Sequence, residues 1–226
     1  LNIRNYSHGM FQSVYDYPYL SSSANHIFDI AVGISTSSPL SGTINGVDDD
    51  HDGGTLASQR TTRTQQEKKI AMYNQMAQVL MGHDKDGNIR RFDRDGDLSS
   101  TTTDKMDEVI FLNFSRLLVK DEIKKGSLTL KFGTNPDLGV DLARSTKHIL
   151  TIKDTNAQND FRINSPAGEY GILSASHTAK AGTDNEEQSV RHGRAATKIL
   201  TDKVGLVFYQ AGVVVLTASI FQGAAS

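Results

Sequence analysis

The chain has 226 residues, 37% hydrophobic and 22% charged, with a net charge of −2 and a pI near 6.4. That length allows one large domain or two small ones around a sizeable core, and the balanced charge supplies no basic stripe for nucleic acid. Cysteine is absent, which excludes disulfides, thiolate metal sites and a cysteine nucleophile, and agrees with assembly in a reducing cytosol.

No charged segment precedes an apolar one at the start, so no signal peptide is expected. The first residue is Leu rather than Met, as in a processed or partial chain. Residues 1–25 are rich in Tyr, Ser and Asn, with Tyr15, Tyr17 and Tyr19 grouped around Pro18. They read as an extended arm whose aromatic rings need another surface to pack on. From His26 to Ile34 the chain alternates, with Phe28, Ile30, Val32 and Ile34 on one side, which predicts a half-buried strand.

Residues 35–60 form a long polar insertion, of the kind that usually serves a partner or stays mobile. The clearest helix follows over 64–81. Thr64 and Glu67 have the spacing of a capping box, Ile70, Tyr73, Met76, Ala77 and Leu80 recur at helical spacing, and Gly82 supplies a C-terminal cap. Its other face carries Lys68, Lys69, Asn74, Gln75 and Gln78. A second polar insertion covers 83–107.

Beyond it strands resume at 109–114, 128–132 and 148–152, with shorter ones at 161–163 and 170–174. Residues 117–126 fit either a strand continuation or a helical turn, and 175–195 are polar again. Val204 to Phe221 is apolar enough to raise a membrane span, but Gly205, Gln210, Gly212, Thr217 and Ser219 interrupt it. A hairpin explains it better, with Val204, Leu206 and Phe208 on one face, Val213, Val215 and Thr217 on another, and Gln210-Ala211-Gly212 as the turn. The expected fold is mainly β (α+β), an antiparallel sandwich- or barrel-like sheet core with one amphipathic helix and long polar loops. Residues 26–226 then form a single domain behind the arm.

The sharpest chemical signal is acidic. Asp84-Lys-Asp86-Gly-Asn88 and Asp93-Arg-Asp95-Gly-Asp97 both resemble the start of a calcium loop, where oxygen ligands alternate and Gly permits a tight turn. The second fits better, with Asp93, Asp95 and Asp97 as candidate calcium ligands. Its twelfth position is Asp104 rather than Glu, a poorer bidentate closer, and Asp-Gly is also a common plain turn. The acidic run over 47–54 lacks the alternate spacing. The seven His residues show no zinc-binding spacing, and no nucleophile elbow, dinucleotide-binding or Walker pattern occurs. Asp107-Glu108 and Asp121-Glu122 are carboxylate pairs that glycosidase chemistry would require to face each other across a cleft. Both read more readily as charges flanking strands. The run Arg191, His192 and Arg194 follows Glu186-Glu187 and reads as solvated surface.

The segment FLNFSRLLVKDEIKKGSLTL (111–130) resembles virion structural proteins of tailed bacteriophages, most closely contractile-tailed, cyanophage-like ones. MYNQMAQVLMGHDKDGNIRRFDRDGD (72–97) and VGLVFYQAGVVVLT (204–217) are similar to further segments of such proteins. The resemblance implies a non-enzymatic part of the tail, baseplate or neck, assembled in the host cytoplasm into the virion. Its partners would be copies of itself and other virion proteins, with no cofactor, nucleic acid or membrane. Tyr15, Tyr17, Tyr19, Phe208 and Tyr209 are the candidate interface anchors, the hairpin adding strands to a neighbour's sheet. For Phe208, core packing is the competing reading. A calcium-stabilised binding or adhesion module is the alternative function, and a hydrolase of cell-wall glycan using Asp107 or Glu108 a third.

Overall fold

The computed structural model describes residues 1–41, 56–98, 104–114, 122–133, 149–178 and 203–221. Its strands are β1 (Ile3–Asn5), β2 (Phe11–Tyr15), β3 (His26–Ile34), β4 (Glu108–Asn113), β5 (Thr129–Gly133), β6 (Ile149–Lys153), β7 (Phe161–Arg162), β8 (Tyr170–Thr178), β9 (Lys203–Phe208) and β10 (Val213–Thr217), with one helix, α1 (Leu56–Leu80). All pairings among them are antiparallel. The strand order is β1-β2-β3-β4-β10-β9-β8-β6-β5, and β7 lies beside β8 off that path. The mainly β, antiparallel core with one helix therefore forms as expected. It is a single sheet, and the sheet does not close.

The centre of the sheet is its most apolar hairpin. Phe208 pairs with Val213, and the Gly212 N–H returns to the Phe208 carbonyl at 2.9 Å. β9 also pairs with β8, and β10 with β4, so both outer edges of the hairpin are occupied. Since both sheet faces are covered here, alternation carries no polar side: Val204 to Tyr209 and Val213 to Leu216 are all buried or lack a side chain. The registers correct the predicted division of faces. Leu206, Phe208, Val213 and Val215 share the cluster under α1, while Val204, Val207, Tyr209, Val214 and Leu216 share the opposite one.

Gly205 is what lets β9 and β10 approach. A Cβ there would lie 2.2 Å from the Val215 carbonyl oxygen and 3.1 Å from Leu216 Cα, and backbone in a paired strand cannot step aside. Gly205→Ala is expected to destabilise the fold by at least about 3 kcal/mol, beyond ordinary overpacking. Denaturant titration followed by circular dichroism checks this.

Helix α1 packs Tyr73, Ala77 and Leu80 on the sheet, the stripe expected from spacing, and its residues contact β3. It ends as predicted: the N–H groups of Met81 and Gly82 both reach the Ala77 carbonyl, and Gly82 has φ +73°. Its start is earlier than expected. Helical backbone begins at Leu56, so Thr64 lies inside the helix and does not cap it.

Residues 1–25 differ most from their expected form. They are no free arm: β1 pairs with β2, and β2 pairs with β3. β2 is short and only half-buried, and pairing with β3 is what makes it a strand. Strand β8 likewise runs on to Thr178, beyond the expected end, because β6 pairs along its second half. Among the described residues no helix is long and apolar enough to cross a membrane.

Candidate functional site

Between α1 and β4, the described residues 81–98 and 104–107 pack back against the end of the helix. Tyr73 holds them: its hydroxyl donates to the Met106 carbonyl at 2.8 Å and accepts from the Phe92 N–H at 3.1 Å. The Phe92 ring stands edge-on to Tyr73 and Phe111, at centroid distances of 5.3 and 5.6 Å. Around this anchor the chain closes a loop, with Met106 N–H to the Phe92 carbonyl and Arg94 N–H to the Asp104 carbonyl, both 2.9 Å.

That closure gathers the predicted acidic residues. Asp93 Oδ1 accepts the Asp95 N–H at 3.2 Å, and Asp95 Oδ1 accepts the Asp97 N–H at 3.3 Å. Gly96 turns the chain with φ +68°, and a Cβ there would meet Arg162 and Tyr170 at 3.0–3.1 Å. One oxygen from each of Asp93, Asp95 and Asp97 lies within 4.8 Å of the others. A cation is already present among them, however. Asp93 is fully buried and paired with the Lys105 ammonium, whose side chain is 10% exposed. Lys203 Nζ lies 3.9 Å from Asp95 Oδ2, and Arg94 lies 3.8 Å from the Asp104 carboxylate at the loop's twelfth position. The loop thus combines a converging oxygen set with its own ammonium, and spacing revealed the first while concealing the second.

The other acidic sites resolve into structure. Asp84 accepts the N–H groups of Asp86 and Asn88 at 2.9 and 2.8 Å, closing a turn that uses Gly87 at φ +84°. Those hydrogen bonds, Asn88's above all, hold the Asp84 carboxyl below its usual range. The run over 47–54 lies outside the described residues, as does Asp121. Asp107 accepts from Ser35 and from Arg91, the latter at 2.9 Å, and Glu108 accepts from Ser38. These carboxylates therefore tie the end of β3 to the start of β4 and do not face one another across a cleft.

One polar network was not legible beforehand. Asp29 Oδ1 accepts the Ser13 hydroxyl at 2.6 Å and bonds His26 Nε2 at 2.7 Å, and Ser13 also contacts the Tyr6 hydroxyl. The carboxylate stands between Ser and His, so the imidazole does not face the hydroxyl and cannot take its proton as a catalytic triad requires. The group pins β2 to β3. A polar cavity of about 360 Å³ lies between the turns at 124–127 and 155–159. It is lined by amides, hydroxyls and lysines without a carboxylate, so it offers no acid–base pair.

The aromatic candidates divide. Tyr17 is 58% exposed, while Tyr15 and Tyr19 are half-buried with centroids 6.2 Å apart. Phe208 and Tyr209 are both fully buried, and this corrects their assignment as interface anchors. The hairpin that carries them already has strands on both sides and has no edge to lend. Tyr209 instead lies under Gly171, where a Cβ would come within 2.0 Å of its hydroxyl, and it donates to Asp154 at 3.4 Å.

The architecture defines a class only: an open antiparallel sheet carrying one helix and a folded acidic loop. Compared with known protein families, with curated protein sequences and with solved structures, the chain matches none.

Proposed function

We propose that this chain is a non-enzymatic structural component of a phage virion, building a symmetric tail, baseplate or neck by repeated contacts. One observation carries the reading beyond the sequence resemblance. The sheet ends at β1 and β5, and neither outer edge has a strand partner among the described residues. The β1 end also exposes large apolar side chains, with Leu1 at 92%, Leu20 at 86% and Tyr17 at 58%. An unpaired edge flanked by apolar surface is a template for another chain, and symmetric assemblies reuse one such contact many times.

The alternative, a calcium-stabilised binding module, is favoured by the convergence of Asp93, Asp95 and Asp97 and opposed by the ammonium of Lys105. One experiment separates the two: native mass by light scattering after size exclusion, with calcium and with EDTA. A discrete oligomer in both is the expected result. A monomer in both counts against assembly by this chain on its own, and calcium-dependent mass or compactness would favour the module.

A further inference from the structure

We infer that a hollow between the β1–β2 turn, β3 and α1 binds a small aromatic carboxylate, a flat apolar body with one anionic head. The hollow measures about 370 Å³, and its lining includes Tyr6, Met10, Phe11, Ala31 and Lys69. Small-molecule sites usually span ~300–1,000 Å³, so one ring system fits. Register explains why the space exists. Phe11 stands directly opposite Ala31, and residues paired in this way share a face of the sheet. Ala31 packs on the cluster beneath α1, so both face the helix. Ala31 contributes only a methyl group, and the space above it stays open. One end is closed because the turn is tied to the helix. Lys68 Nζ donates to the His8 carbonyl at 2.9 Å, and a Cβ on Gly9 would touch Gln65 at 3.4 Å.

The walls and the charge specify the ligand. Tyr6 and Phe11 lie with ring centroids 4.9 Å apart and planes tilted by 44°, and a flat ring can extend such a pair by offset or edge contact. Met10, Phe11 and Ala31 are only half-buried, so an apolar body would take their remaining surface out of water. The rim is cationic. Lys69 is exposed and Arg4 lies over the Tyr6 ring at 4.9 Å; neither has a carboxylate partner among the described residues. No carboxylate lines the hollow. Glu67 is two positions from Lys69, and helix residues two apart do not face each other. Asp29, two residues along β3 from Ala31, is already engaged by Ser13 and His26. An anionic head therefore meets ammonium and guanidinium, where a cationic one would be repelled.

The test titrates the full chain with naphthoate, and with naphthalenemethanol and naphthylmethylammonium as its neutral and cationic counterparts. Naphthoate is expected to bind with a Kd of about 1 mM or tighter, as suits a ligand of its size, and the other two at least about tenfold more weakly. Methionine methyl resonances report the place: Met10 should shift on binding, while the buried Met81 and Met106 stay still. Lys69→Glu changes an exposed position, so the fold should persist by circular dichroism while naphthoate affinity falls at least about tenfold. Ala31→Leu fills the hollow and should abolish binding; if that variant fails to fold, Lys69→Glu still decides. Absence of naphthoate binding, equal binding of the three probes, a Met10 resonance that does not move, or an affinity that Lys69→Glu leaves unchanged each overturns the site. None of these results bears on the assembly reading.

Discussion

On raising pH, the protein is expected to lose stability steeply above about pH 10 and to unfold cooperatively before three of its seven tyrosines ionise. Tyr73, Tyr170 and Tyr209 are fully buried. Burial is the main cause that pushes each phenol upward: Tyr170 to about 12, and Tyr73 and Tyr209 further. Their hydroxyls donate to the Met106 carbonyl, the Asn164 side-chain oxygen and the Asp154 carboxylate. A phenolate at any of them would face an acceptor with no proton to offer.

The sign follows from proton linkage. Folding raises these pKa values above the unfolded value of about 10, so the stabilisation is complete below that value and declines as pH rises towards the folded ones. Each tyrosine costs about 1.4 kcal/mol per pH unit in that window, or about 4 kcal/mol per unit for all three. Against a total stability of about 5–15 kcal/mol, two units remove about 8 kcal/mol, a large share of that total. Tyrosinate absorbance recorded beside far-UV circular dichroism checks this. Three phenols should appear together with the loss of strand signal, and smooth ionisation of all seven with the strands intact would contradict the burial.

Removing the Lys105 ammonium should be nearly as damaging at neutral pH. Lys105→Ala leaves the Asp93 carboxylate fully buried with its counter-charge gone, and breaking a buried pair in this way costs about 3–5 kcal/mol. The double variant Asp93→Asn/Lys105→Ala should recover much of that loss, because the isolated charge is then also removed. Chemical denaturation of the three variants measures the coupling. The calcium reading makes a distinct prediction in the same experiment. If the loop can accept a divalent ion once the ammonium is gone, calcium should restore Lys105→Ala and leave the unsubstituted chain unchanged. Stabilisation of the unsubstituted chain by calcium would show instead that Lys105 yields its place to the ion.

Much of the scaffold could be read from residue order because its periodicities are local. The alternation in β3, the apolar run of β9 and β10 and the stripe from Tyr73 to Leu80 each identify an element without reference to any other. Gly82 marks the helix end for the same reason, since the backbone itself needs a positive φ there. The first turns of α1 carry no such signal: LASQRTTR has no apolar stripe to count, so spacing places the helix start at Thr64 rather than at Leu56. β1 and β2 cannot be read from residue order because short polar strands have no pattern that outweighs a loop reading. They exist as strands through their partner β3.

Sequence alone therefore determined the class of the fold, the helix that ends at Leu80, its central hairpin and the position of its acidic turns. Tertiary structure decided what those parts can do. It buried Phe208 and Tyr209 in mid-sheet, divided Asp107 and Glu108 among hydrogen bonds to Ser35, Arg91 and Ser38, and set Lys105 beside Asp93. It also turned an expected arm into a sheet edge. The physical reason is range: helix and strand periodicity depend on neighbours a few residues away, whereas burial, charge pairing and the freedom of an edge depend on which distant segments the fold brings alongside.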